Sequence, residues 1–139
     1  MKFKRRIARE AVLLSLYQID LRSEEASYAL SFSIEILSIE DKDVIKFAQE
    51  LLLSIVEKVN KIDETLSSLS KKWKLHRMSY VDRNILRIAV YEILYEDEIP
   101  YKVAINEAVE LAKLYGDNKS PKFVNGVLAT LVEERNIVE

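Results

Sequence analysis

The chain has 139 residues, no cysteine, two glycines and two prolines, with 49% hydrophobic and 32% charged residues and a net charge of −2. The lack of cysteine excludes disulfides, iron–sulfur clusters and cysteine-based zinc sites, and fits a reducing cytoplasm. So little Gly and Pro leaves scant material for tight hairpins, whereas abundant Leu, Ile, Ala, Glu and Lys suit helices, and the length suits one core of about 100–200 residues; an all-α single domain is expected.

The charge is placed unevenly. The first nine residues, MKFKRRIAR, hold five of the 21 cations and none of the 23 acids. The apolar segment that follows is interrupted by Gln18 and Asp20 and has no convincing small-residue cleavage pattern, so it does not read as a signal peptide. No run approaches the roughly 20 apolar residues that span a bilayer, and a soluble, cytoplasmic protein is expected.

The first helix is predicted over Lys4–Leu21, with Ile7, Ala11, Leu14 and Leu21 as an apolar stripe. Residues 2, 5, 6 and 9 follow i, i+3, i+4, i+7 spacing, so Lys2, Arg5, Arg6 and Arg9 share one side, where they can face a line of phosphates; a merely solvated face is the competing reading. Cations at a helix N-terminus oppose its dipole by about 0.3–1 kcal/mol each, which hints at an external reason for them. Tyr17 falls near the azimuth of Arg6, roughly 16 Å along the axis.

A second helix is expected over Glu25–Ser38 and a third over Asp41 to about Asn60, opened by acids that suit its dipole. KIDETLSSLSKKW is expected to add a short fourth, completing a first bundle. KKWKLHR, at 71–77, is a second basic stretch: Lys71, Lys72, Lys74 and Arg77 surround Trp73, for which core or hinge packing competes with base stacking. Ser79 and Asp82 resemble a capping box at the head of the strongly helical SYVDRNILRIAVYEILY. Glu96 to Glu98 reads as a solvated connection.

Pro100 suits the first turn of the next helix, which should run to Tyr115 and stop at Gly116 in the left-handed conformation. Ser120 is expected to cap the last helix, with Pro121 at its first position. In the loop YGDNKSPKF, Tyr115, Lys119, Lys122 and Phe123 surround a helix N-terminus, whose N–H groups can bind phosphate while the rings stack bases; aromatic core packing is an equal alternative. Gly126 inside that helix costs about 1 kcal/mol relative to Ala and suggests a close helix approach. Asn125 beside it is expected to bond an adjacent loop.

Catalytic constellations are missing. His76 is the single histidine, so HExxH and Cys–His sites cannot be built, and neither GxxxxGK[ST] nor GxGxxG occurs. No enzymatic activity, cofactor, metal or small-molecule substrate is expected.

RRIAREAVLLSLYQ, YVDRNILRIAVYEIL and IPYKVAINEAVELAKLYGDNKSPKFVNGVLATL together resemble the NusB family of bacterial transcription antitermination factors, most specifically over 79–131. The resemblance implies an all-α fold of two small helical bundles, about 1–69 and 70–139, with about seven helices. It further implies binding of boxA RNA in nascent ribosomal transcripts, together with the small-subunit ribosomal protein that doubles as NusE, within an RNA polymerase antitermination complex. By position it places RNA contacts on Lys4, Arg5, Arg6, Arg9 and Tyr17, and on the segment Tyr115 to Phe123 with Lys119 and Lys122. To Asp82, a capping residue on its own spacing, it adds a charged contact with the NusE-type protein. Two other functions compete: a purely protein-binding adaptor, and the RNA-binding domain of an rRNA cytosine methyltransferase. The second is disfavoured because the chain ends at Glu139 with no cofactor-binding fold behind it.

Overall fold

The computed structural model describes residues 2–69 and 74–138; Lys71, Lys72 and Trp73, and the side chains of Lys2 and His76, lie outside that description. Among the described residues there are six α-helices, one 3-10 turn and no strand: α1 Lys2–Arg22, α2 Ala26–Ile36, α3 Lys42–Leu69, a 3-10 turn at Leu75–Arg77, α4 Tyr80–Tyr95, α5 Tyr101–Tyr115 and α6 Ser120–Glu134. The expected all-α class is what forms. No helix among the described residues is long and apolar enough to cross a membrane.

The chain divides into two compact units, 1–57 and 58–139. The division falls inside α3, not at about residue 69. KIDETLSSLS does not start a helix of its own, because nothing between Asn60 and Leu69 breaks the preceding one and its apolar row continues through Ile62, Leu66 and Leu69, all buried. These last turns belong to the second unit, where Asp63 receives Arg87 and Thr65 meets Arg135.

In the first unit, α1 packs on α2 through small residues. Ala8, Ala11 and Ser15 of α1 and Ala29 and Ser33 of α2 are all fully buried, and small side chains let two helix backbones approach closely. A polar thread runs through this contact: Ser15 Oγ lies 2.8 Å from the Ala11 carbonyl and 3.0 Å from Ser33 Oγ, and Ser33 accepts from Gln18 Nε2 at 3.1 Å. The stripe predicted for α1 is therefore rotated. Of its four residues only Ala11 is buried, while Ile7 and Leu21 are 40% and 49% exposed; Ala8, Val12 and Leu16 fill the core. Apolar residues stand on several azimuths of α1, so periodicity alone does not choose the one on which α2 settles.

The helix ends show which backbone groups needed partners. Glu25 caps α2 by accepting from Ser27 N and Tyr28 N, and these backbone bonds hold its carboxyl below the usual range. Ser38 and Asn136 take φ of 54° and 52° just past α2 and α6, and Ile39 N and Ile137 N bond back to Ile34 O and Val132 O, the 6→1 closure of a Schellman motif. Gly116 does not do this. Its φ is −91° and ψ −171°, which any residue can adopt, so left-handed freedom is not why glycine stands there. Space is the reason: a Cβ on Gly116 would lie 2.4 Å from Ser120 Oγ and 2.9 Å from the Ala112 carbonyl oxygen. At Gly126 a Cβ would meet nothing within 4 Å, so the close helix approach expected there is not made, and Asn125 is exposed.

The second unit is built around α4. Every residue from Asn84 to Glu92 is buried, and its apolar members face Ala104, Ala108 and Leu111 of α5 and Val124, Leu128 and Leu131 of α6, all buried. Arg87, on this helix, is only 7% exposed at its side chain; Nε and Nη2 donate to the two carboxylate oxygens of Asp63 at 2.8 Å each, and Nη1 donates to Asn84 Oδ1 at 2.9 Å. Such a fork-to-fork pair satisfies a guanidinium that could not otherwise leave water.

Candidate nucleic-acid interface

The basic start forms as predicted, on the first two turns of α1, but its charges are already engaged. Lys4 Nζ sits 3.0 Å from Asp41 and 3.8 Å from Asp43. Asp41 also caps α3, its Oδ1 accepting from Asp43 N at 2.8 Å and Val44 N at 3.3 Å. The hydrogen bond from Lys4, then those two backbone donors, hold the Asp41 carboxyl below the ordinary range, and the same bond to Asp41 raises the Lys4 ammonium. The sign follows for each. The contribution of Asp41 is present above the ordinary carboxylate pKa near about 3.9 and lost as pH falls through its depressed value; that of Lys4 persists until pH rises through a value above about 10.4. The pair is therefore closed throughout the neutral range.

Arg5 is half-buried with its guanidinium carbon 5.1 Å from the centroid of the Phe47 ring, and its Nε is buried without a hydrogen-bond partner. Arg6 and Tyr17 are half-buried. Arg9 is 3% exposed, so in this conformation it lies inside the first unit and not on a phosphate-facing row. The row that carries it runs on through Val12 and Leu16, which are core residues. An arginine at helical spacing from the core is carried inward with it.

The second unit presents a different surface. A groove of about 740 Å³ is lined by Lys74, Arg77 and Asp82 together with Asp117, Lys119, Lys122 and Phe123. The four cations are exposed and none has an ion pair among the described residues. Tyr115 is half-buried and does not line this groove. The sequence holds Lys74 and Arg77 apart from Lys119 and Lys122 by some forty positions; only the tertiary packing of α4 and α6 puts them across one groove, a proximity without a local sequence signal.

The start of α6 also differs from expectation. Ser120 is not the cap: Asp117 Oδ1 accepts from Lys119 N at 2.8 Å and Ser120 N at 3.1 Å, while Ser120 Oγ, buried, accepts from Asp117 N at 3.0 Å. Those two amides are thus occupied and Pro121 has none, so the anion affinity of this end rests on side chains. Across the groove Ser79 does cap α4, its Oγ accepting from Asp82 N at 3.0 Å. The reciprocal half of the capping box is not made through Asp82 Oδ1, which is buried and has no hydrogen-bond partner.

A family model described as the NusB family matches residues 6–133. The chain belongs to the NusB family. It is 45% identical over 129 residues to the transcription antitermination protein NusB of Bacillus cereus (strain B4264), covering 92% of this chain and 96% of that one. Its identity to the corresponding protein of Bacillus pumilus (strain SAFR-032) is 43% over 128 residues, covering 92% and 94%. Among solved structures, NusB of T. maritima superposes with a TM-score of 0.85 at 40% identity, covering 94% of this chain and 91% of that one. A crystal structure of antitermination factors NusB and NusE in complex with dsRNA matches with a TM-score of 0.88 at 31% identity, covering 96% and 99%. The chain thus carries the NusB fold.

Proposed function

We propose that this chain is a non-catalytic transcription antitermination factor of the cytoplasm, which binds boxA RNA of nascent ribosomal transcripts together with the NusE-type ribosomal protein, within an RNA polymerase antitermination complex. The observation that carries this reading is the near-complete match to the NusB of a NusB–NusE–dsRNA crystal structure, in a chain whose second unit lines one groove with four exposed cations and Phe123. Phosphates supply affinity and bases supply discrimination, and this surface offers charge for the first and Phe123 for the second. Lys119, Lys122 and Phe123 are the RNA contacts of the groove, and Tyr115, at the end of α5, is a further contact outside it. In the first unit the contacts are Lys4, Arg5, Arg6 and Tyr17, with Arg9 supporting the helix from within. Asp82 contributes a charged contact to the ribosomal protein.

Competition of a boxA RNA against a permuted RNA of equal length and composition, at several salt concentrations, tests this. The boxA sequence should win at every salt, while both affinities fall with salt at a slope of about 0.7 per phosphate contact. Equal affinities for the two RNAs would remove the boxA assignment.

A further inference from the structure

Helix α2 of the first unit is apolar on two sides. Its buried side carries Ala29, Leu30 and the polar Ser33, which bonds Ser15 of α1. Its outer side carries Tyr28, Phe32 and Ile36, an i, i+4, i+8 row whose members are 62%, 47% and 56% exposed. On α3, Leu53 and Val56 are exposed as well. A helix that is apolar all round is ordinarily covered all round. Between α2 and α3 lies a groove of about 200 Å³, with Leu30, Ile34, Leu52 and Leu53 as its apolar lining and the small Ser27 and Ser31 along one edge. The lining follows α2 from Ala26 to Ile34, about 12 Å at about 1.5 Å per residue, which is the span of i, i+4 and i+7 anchors on another helix.

The charge around this surface selects what can cover it. Neither the stretch from Ser23 to Asp41 nor that from Phe47 to Glu57 contains a cation. Exposed acids adjoin the groove on both helices: Glu25 caps α2 beside Ala26, Glu35 stands one turn from Ser31, Glu50 follows Gln49, and Glu57 stands one turn from Leu53. Of the cations that bound the α3 stretch, Lys46 is exposed and Lys58 lies over the Tyr95 ring, 4.9 Å from its centroid. Nucleic acid and an anionic lipid surface have the same sign as these acids and are repelled. A second copy would set the same acids against one another across a two-fold axis. A helix with apolar side chains on one face and cations beside them meets both the groove and the acids.

We infer that the α2–α3 groove docks a cationic amphipathic helix of a further protein partner, its apolar face on Leu30, Leu52, Leu53 and the ring of Phe32 and its cations on the surrounding glutamates. The site lies wholly in the first unit, apart from the residues proposed to contact RNA and from Asp82, and it stands independently of the RNA-binding reading.

The test titrates the full chain with a synthetic peptide of leucine and lysine patterned as one amphipathic helix, and with a scrambled peptide of the same composition. The variants are Phe32→Gln with Leu53→Gln, Glu35→Gln with Glu57→Gln, and, as control, Val103→Gln with Leu114→Gln, two exposed apolar residues of α5. The Phe32/Leu53 variant should bind the patterned peptide roughly tenfold more weakly or worse, as loss of central apolar anchors does. The Glu35/Glu57 variant should lose about threefold, with a shallower salt dependence, since exposed charge pairs contribute little each. The control should stay near the parent, and the scrambled peptide should bind poorly to all. Melting curves establish that each variant is folded. Equal binding of the two peptides by the parent, or a Phe32/Leu53 variant that binds as the control does, would overturn the inference. So would a parent that sediments as a dimer and a Phe32/Leu53 variant that sediments as a monomer, because a second copy would then cover the groove. The folded Phe32/Leu53 variant should also keep parental affinity for boxA RNA and for the NusE-type protein; loss of either would assign this face to those ligands and remove the further partner.

Discussion

The two regions proposed to contact RNA, one in each unit, carry their cations in opposite conditions. At the start of α1 the density is highest in sequence, yet Lys4 is closed on Asp41 and Asp43, Arg5 lies over Phe47, and Arg9 is inside the fold. In the second unit the cations are sparse in sequence, and Lys74, Arg77, Lys119 and Lys122 line one groove with no ion pair among the described residues. Charge counted along a chain and charge available to a ligand are different quantities. What separates them is the local supply of carboxylates and the azimuth each cation takes on its helix.

Arg87 gives the sharpest contrast, as a cation fully engaged in structure. Arg87→Met should destabilise the protein by about 3 kcal/mol, because Asp63 and Asn84 lose the donors that satisfy them, and the folded fraction should bind RNA as the parent does. Chemical denaturation together with an RNA titration reads both. A large loss of stability with unchanged RNA affinity would confirm that pairing, not charge, defines the role; weakened binding by folded protein would place Arg87 in the interface after all.

A smaller effect probes the engaged end directly. Asp41→Asn keeps a side-chain oxygen that can cap α3 but removes the charge that holds Lys4. Lys4 then becomes available, and RNA binding should tighten slightly while its salt slope steepens by up to about 0.7. An unaltered slope would mean that Lys4 makes no phosphate contact even when released.

Much of the helical framework was legible in the sequence, for local reasons. Ser79 caps α4, Pro100 immediately precedes α5 and Tyr115 ends it, as turn and capping chemistry dictate. Where reading fails, the deciding partner is distant. The stripe on α1 is rotated because α2 chooses the face with Ala8, Ala11 and Ser15, and α3 runs through 60–69 because its apolar row continues there. Gly116 stands at the expected end of α5 for a different cause, the oxygen atoms of Ser120 and Ala112 beside its Cα. At α6 the N-cap position falls on Lys119 and not Ser120, and Asp117 two residues earlier accepts from the first amides, since Ser120 and Asp117 both suit a helix start and only the turn geometry decides between them. The candidate site shows the same division. Lys119, Lys122 and Phe123 could be found from a local cluster, whereas their partnership with Lys74 and Arg77 exists only once α4 and α6 are packed.

RNA and the ribosomal protein are expected to bind this chain together, since a chain with net charge −2 draws little long-range attraction to RNA and a cationic partner would supply further phosphate contacts. The direct measurement is a titration of boxA RNA into the protein at fixed salt, with and without saturating NusE-type protein. A tightening equivalent to about 1–3 kcal/mol is expected, with RNA strengthening the partner's binding by the same factor in the reciprocal titration. Equal RNA affinities in the two conditions would contradict it.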